Sequence, residues 1–187
     1  ALPDHPPAAL ELVELGINHE QQHQELFLTD ILATFAENPL EPAYGELGAP
    51  ACFAPEPLSF HPGRTGIVAI GAPGGGFAFD SERPRHQALL HPHSIAGRRV
   101  TNGEWADFIA DGGYQTPSLW LSEGWDWVRS EGISAPLYWR DDGSAFTLGG
   151  RRDIDRTAPV AHVSLFEADA FARWSGARLP TEAEWES

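Results

Sequence analysis

Pro39, Pro42, Pro50, Pro55, Pro57 and Pro62 punctuate residues 38–62 with no repeating period. Each proline removes a backbone donor and pushes the residue before it out of helical geometry, so neither a helix nor a central strand can run through the stretch. It is expected to be a linker, extended and packed against a surface rather than loose. The chain accordingly divides into residues 1–37, the linker 38–62, and residues 63–187.

Residues from about 8 to 37 read as one long helix. Pro6 and Pro7 sit where prolines are tolerated, at or before a first turn, and Asn38-Pro39 ends it. Leu12, Leu15, His19, His23, Leu26 and Asp30 follow steps of three and four, so the two histidines lie one turn apart on one face. Imidazoles so placed can chelate one transition metal, and imidazole suits iron, zinc, copper or nickel. A metal held there is expected to be buried between helices, as in bundles that build sites from inward-facing side chains. The plainer alternative is a pair of helix histidines satisfied by hydrogen bonds. A single amphipathic helix cannot bury its own stripe, so its partners are preceding helices or the unit that follows.

His19-Glu20-Gln21-Gln22-His23 also matches the His-Glu-x-x-His pattern of zinc metalloproteases, in which the Glu is general base. That chemistry needs a third ligand downstream, and the metzincin form needs Gly and His at fixed offsets. The continuation Gln24-Glu25-Leu26-Phe27-Leu28-Thr29 has neither, and Glu41 and Glu46 lie in the proline-rich stretch. The context argues against a protease.

Seven Trp and ten Phe among 187 residues mark a folded chain with a real core. Twelve basic against 27 acidic residues give a formal net charge of −15, which argues against nucleic acid and anionic membrane as partners. The single cysteine, Cys52, excludes an internal disulfide framework and fits a cytoplasmic location. No His or basic residue beside it suggests a reactive thiol. No apolar run approaches the ~20 residues of a membrane span, and no signal peptide is visible. There is no methionine, even at position 1, and the chain stops at Glu184-Trp185-Glu186-Ser187 inside a helix's first turn. The expectation is a piece of a longer protein, cut at both ends.

Beyond the linker the pattern changes to that of an α+β unit. Ile67–Gly71 and Phe77–Asp80 read as short strands around Pro73-Gly74-Gly75-Gly76, and His91–Val100 as another. The glycine run is no phosphate loop, since no Gly-Lys-Ser/Thr follows. Thr101-x-x-Glu104, Ser164-x-x-Glu167 and Thr181-x-x-Glu184 are capping boxes that each open a helix. Pro117–Gly150 is rich in Trp, Gly and Pro and weak in periodicity. Trp120, Trp125, Trp127 and Trp139 there read as packing residues rather than a ligand-stacking platform. No internal repeat is apparent.

Set side by side, these motifs resemble one family. His19-Glu20-Gln21-Gln22-His23-Gln24-Glu25 on a helix, followed by a linker, resembles the metal-binding DinB-like bundle of the ergothioneine sulfoxide synthases, or hercynine oxygenases. Phe79–His86, Val100–Trp105 and Arg178–Glu186 are similar to the domain shared with formylglycine-generating enzymes and sulfatase-modifying factors. Gly112-Gly113-Tyr114, Leu119–Trp125 and Pro136–Trp139 are similar to insertions typical of the synthases.

The resemblance implies a cytoplasmic non-haem Fe(2+) enzyme that uses O₂ to join γ-glutamylcysteine or cysteine to the imidazole C2 of hercynine, giving a sulfoxide. It implies that residues 1–37 hold the last helix of a DinB-like bundle and that 63–187 begin a C-type-lectin-like domain. His19 and His23 match two of the family's three iron-binding histidines, and Gln22 matches a residue that hydrogen-bonds the substrate imidazole. The third histidine belongs on an earlier helix; His5, beside Pro6-Pro7, is not assigned to that role. The tyrosine proposed in proton transfer, and most thiol contacts, belong to the second half of the lectin-like domain, and Tyr114 and Tyr138 lie in the wrong segment to replace it. His61, His86, His91, His93 and His162 read as structural or exposed, and Arg83 and Arg85 as salt-bridge formers. The remainder of the protein is then required for activity. A selenoneine or ovothiol synthase on the same scaffold remains open, as does a lectin-like binding module without catalysis.

Overall fold

In the computed structural model, which describes residues 7–48 and 55–187, the first described element is a single helix, α1 (Pro7–Ala36, 30 residues). The remaining described elements are α+β. Strands β1 (Phe60–Pro62), β2 (Gly66–Ile70), β3 (His86–Leu90), β4 (Ser94–Ala96), β5 (Ser144–Thr147) and β6 (Gly150–Asp153) form three two-stranded antiparallel sheets. They pair as β1–β4, β2–β3 and β5–β6. Helices α2 (Asn102–Ala110), α3 (Ser122–Glu131), α4 (Leu165–Trp174) and α5 (Glu182–Glu186) complete the fold. Cys52 and His5 lie outside the described residues.

All three capping boxes open helices. Thr101, Ser164 and Thr181 each accept from the backbone N–H of Glu104, Glu167 and Glu184, and each glutamate reaches back to the cap's own N–H. Two of these starts are locked a second time. Arg98 Nη1 and Nη2 fork onto Glu104 at 2.9 and 2.7 Å, and Arg178 forks onto Glu184 at 2.7 and 2.6 Å. The planar guanidinium matches a carboxylate bidentately, so each fork fixes where the chain enters its helix.

These helices build the core. Trp105, Phe108, Tyr114, Trp120, Val128, Ala170 and Phe171 are buried together, from α2, α3, α4 and the intervening turns. Trp105 stacks on Phe171 with centroids 4.8 Å apart and planes 6° apart, and Phe108 meets both rings edge-on. Trp120 is buried and donates from Nε1 to the Gly113 carbonyl at 2.9 Å, while Trp125, Trp127 and Trp139 pack on the same core. The tryptophans are thus packing residues, as expected.

Several elements differ from the sequence reading. The partner of β2 is not Phe77–Asp80 but β3, with Ile70 opposite His86 and Gly66 opposite Leu90. Phe77–Phe79 belongs to a loop closed by a 3-10 turn at Asp80–Glu82, because the Glu82 side chain takes the Phe79 N–H and its carbonyl takes the Ala72 N–H. Within His91–Val100 only Ser94–Ala96 is strand, bounded by Pro92 and Gly97. Its partner Phe60–Pro62 comes from the stretch read as linker, with Pro62 at a strand end where a missing donor is tolerated. Pro117–Gly150 contains the ten-residue helix α3, which has Leu121 at its N-cap and no side-chain cap bond. Its start therefore carries no sequence signal. Gly124 lets α3 approach α4 closely, since a Cβ there would lie 2.7 Å from that of Phe166.

The proline-rich stretch is pinned to the β5–β6 hairpin. Tyr44 N–H donates to Leu148 O at 2.8 Å, Arg152 donates to Leu47 O, and Glu41 pairs with Arg140 at 2.8 Å. Just before it, Leu32 of α1 is buried with Tyr138 and Phe146, and Phe35, Ala36 and Leu148 pack around them. Burying a leucine side chain contributes about 1.5–3 kcal/mol, so this contact holds the last turns of α1 in place.

Candidate metal centre on the first helix

At about 100° per residue, Leu28, Leu32 and Phe35 share one side of α1, and His19, His23, Leu26 and Asp30 lie on the opposite side. The hairpin occupies the first side. The histidine side is solvent-exposed: Leu12, Leu15 and Leu26 are 69%, 42% and 56% exposed, and His19, Gln22 and His23 are exposed as well. Ile17, in line with Phe35, and Val13 beside that row are also open, because the hairpin covers only the last turns of α1. A helix that is apolar on several faces is built to be surrounded.

The imidazoles of His19 and His23 touch edge to face, with centroids 4.5 Å apart and planes at 69°. The one-turn spacing read from sequence thus brings both rings together. His23 also lines an open cleft of about 560 Å³ with Glu20, Gln24, Leu26, Phe27 and Asp30. Among the described residues no group of three His, Cys, Asp or Glu is placed to hold a metal ion. His19 and His23 thus stand as a pair, with no third His, Cys, Asp or Glu placed beside them among the described residues.

Gln22 is not part of the His23 cleft. With Leu15 it lines a separate cleft of about 380 Å³, whose far wall is Ala78, Phe79, Asp80 and Ser81. The loop that follows β2 therefore stands next to the helix. No sequence signal announced this neighbour, because it depends on where the hairpin docks α1.

His61, His86, His91 and His93 are structural or exposed. His61 Nε2 lies 3.1 Å from Ser59 Oγ, and His86 Nδ1 lies 2.9 Å from the Pro84 carbonyl. His93 is the exception in degree: its side chain is 5% exposed, Nδ1 bonds His91 O at 2.9 Å, and Nε2 is buried without a partner. Its ring fills the space beside Gly63, where a Cβ would sit 2.1 Å from Nε2. Arg83 and Arg85 form no ion pairs among the described residues, contrary to expectation. Arg83 donates to Gly76 O at 3.3 Å and Arg85 to Gly71 O at 2.7 Å, so they tie down loop carbonyls that no strand satisfies.

One buried polar network escaped the sequence reading. Tyr114 is buried and donates its hydroxyl to Glu167 Oε1 at 2.6 Å, while Trp105 Nε1 donates to the Tyr114 oxygen at 3.3 Å. Burial, and then the Glu167 carboxylate, push the Tyr114 pKa well above the usual phenol range. The phenol so held is a buried hydrogen-bond donor between α2 and α4.

The sulfatase-modifying factor enzyme 1-like domain matches residues 61–187. A hercynine oxygenase of Mycobacterium tuberculosis is 40% identical over 171 residues, covering 91% of this chain and 40% of the relative. One from Mycolicibacterium smegmatis is 38% identical over 185 residues, covering 92% and 40%. A formylglycine-generating enzyme of Streptomyces coelicolor is 36% identical over 136 residues, covering 65% of this chain and 43% of the relative. The chain thus spans about two fifths of the length of these relatives. It belongs to the family of the sulfatase-modifying factor enzyme 1-like domain, and its similarity to the hercynine oxygenases reaches beyond that domain.

Proposed function

We propose that this chain is part of a non-haem Fe(2+)- and O₂-dependent sulfoxide synthase of ergothioneine biosynthesis, which joins γ-glutamylcysteine or cysteine to the imidazole C2 of hercynine. The carrying observation is the extent of the similarity. Residues 61–187 make up about two thirds of the chain, which is the share matched by the formylglycine-generating enzyme of Streptomyces. A match over 91% must run well into the first third, where α1 and its histidines lie.

In this reading residues 1–37 contribute a helix to a DinB-like bundle, 38–62 link it, and 63–187 belong to a C-type-lectin-like domain. The exposed apolar faces of α1 support the bundle, because they need covering. His19 and His23 hold Fe(2+) together with a third ligand from elsewhere in the protein. Bound iron supplies O₂ activation and a shared anchor for the reactants, turning a collision problem into a positional one. Gln22 offers both a donor and an acceptor to the hercynine imidazole. A tyrosine from elsewhere in the protein serves proton transfer.

The test is anaerobic loading of the intact protein with Fe(2+), followed by hercynine, each thiol in turn, and O₂, with sulfoxide detected by mass spectrometry. Product with neither thiol overturns the reading. Turnover only with a selenium donor or with histidine moves the protein to the selenoneine or ovothiol relatives. An intact protein that takes up no iron is a binding module.

A further inference from the structure

A second cleft of about 400 Å³ lies on the opposite side of α1 from the histidines, where Leu28, Thr29 and Leu32 face the β5–β6 hairpin and the segment around His162. Its walls include Tyr138, Trp139 and Phe146, and no Asp, Glu, Lys or Arg lines it. A betaine or an amino-acid thiol carries charges that would have no counter-charge there, so this is not a second copy of the proposed reaction site.

His162, Tyr138 and Asn102 all line this apolar cleft, each with a polar atom that has no partner among the described residues. His162 holds a left-handed backbone, φ 60°, which a non-glycine side chain adopts only when its surroundings impose it. Here they do: the His162 carbonyl accepts the Leu137 N–H at 3.2 Å, and its ring meets Tyr138 edge-on at 4.7 Å. Burial also holds the imidazole below its usual pKa, and neither ring nitrogen is hydrogen-bonded among the described residues. The Tyr138 hydroxyl has no partner among the described residues either. Asn102 spends its Nδ2 on Asp155 O at 2.8 Å, which orients the side chain and leaves Oδ1 available.

An apolar cleft of this size with a few convergent polar groups is the usual form of a small-molecule site. We propose that it binds an uncharged aromatic ring carrying one hydroxyl or ring N–H. The ring packs among Tyr138, Trp139 and Phe146, and its polar group bonds His162, with Tyr138 and Asn102 as alternatives. Neutrality is selected by a wall without charged side chains, and the polar group by donors and acceptors that have no partner among the described residues.

The test uses the intact protein and four probes in saturation-transfer NMR titrations: phenol, toluene, phenylacetate and benzylamine. Phenol should bind saturably, toluene about tenfold more weakly for want of the hydroxyl, and the two charged probes not detectably. His162→Gly suits the left-handed backbone and removes only the imidazole, so the protein should stay folded while phenol binding falls about tenfold. His162→Asn, which tolerates the same backbone and keeps a polar group, should restore most of it. Phenol binding should be untouched in His19→Ala, whose side chain lies on the other side of the helix. No saturable phenol binding, equal affinity for toluene, or His162→Gly and wild type binding alike would each overturn the proposal.

Discussion

Arg140 donates to Glu41 Oε1 through both Nε and Nη2, at 3.1 and 2.8 Å, across 99 residues of sequence. Arg151 reaches the other oxygen at 3.7 Å. Glu41 itself has φ 41°, a left-handed turn that aims the carboxylate at the two arginines. The segment after α1 is therefore strapped to the hairpin on which α1 also rests. Glu41→Ala should loosen the strap, with faster protease cleavage between residues 40 and 48 of the intact protein. The cost in stability should be small, about 0.5–1 kcal/mol, because the pair is partly exposed and screened. Unchanged cleavage would mean that the apolar contact at Leu32 alone holds the segment.

Tyr114 and Glu167 make a different kind of contact, buried on both sides. Tyr114→Phe removes the donor and leaves a carboxylate oxygen without it in the core. That should destabilise the protein by about 1–3 kcal/mol in urea unfolding. The double variant Tyr114→Phe/Glu167→Gln should lose less than the sum of the two singles, since the amide carries no charge to strand. Strict additivity would show that the bond is not a coupled one.

The forked pairs set an acid limit. Hydrogen bonds from Arg98 hold the Glu104 pKa at about 2, and those from Arg178 hold Glu184 at about 2, against an ordinary 4.5. A carboxylate with a depressed folded pKa stabilises the fold above its unfolded pKa, and that contribution is lost as pH falls through the folded value. Both contributions should therefore be complete above about pH 5 and fade between 4.5 and 2. Glu104→Gln should flatten the stability profile in that window while changing little of its shape between pH 6 and 8. A profile as steep as wild type would place the acid sensitivity elsewhere.

What could be read from sequence divides by how local the cause is. Thr101, Ser164 and Thr181 announce helices because a cap and its partner three residues on satisfy each other within one turn. The His19–His23 contact was legible for the same reason, being one turn of one helix. Helix α3 was not, since Leu121 offers no cap and its order comes from Gly124 against Phe166, 42 residues away. The pairing of β2 was misread because a glycine run looks like a hairpin turn, whereas the Glu82 side chain and carbonyl fold that loop back on itself. The Gln22 cleft and the His162 backbone depend on how α1 docks, and no spacing within either segment encodes that.

The last prediction separates Gln22 from the histidines that flank it. His19 and His23 touch each other, while Gln22 faces the Phe79 loop across its own cleft. If the histidines hold iron, His19→Ala or His23→Ala in the intact protein should abolish stable iron binding and activity together. Gln22→Leu should leave iron content near wild type while hercynine binding weakens by about 1–3 kcal/mol, the cost of one unpaired polar group. Metal analysis and a hercynine titration read the two effects independently. Unchanged hercynine affinity and turnover in Gln22→Leu would leave Gln22 a solvated helix residue. Lost iron in that variant would instead place its amide among the metal's ligands. A control at Asp80→Asn, on the far wall of the same cleft, should leave iron untouched, so any fall in hercynine affinity there shows that the substrate occupies the space between helix and loop.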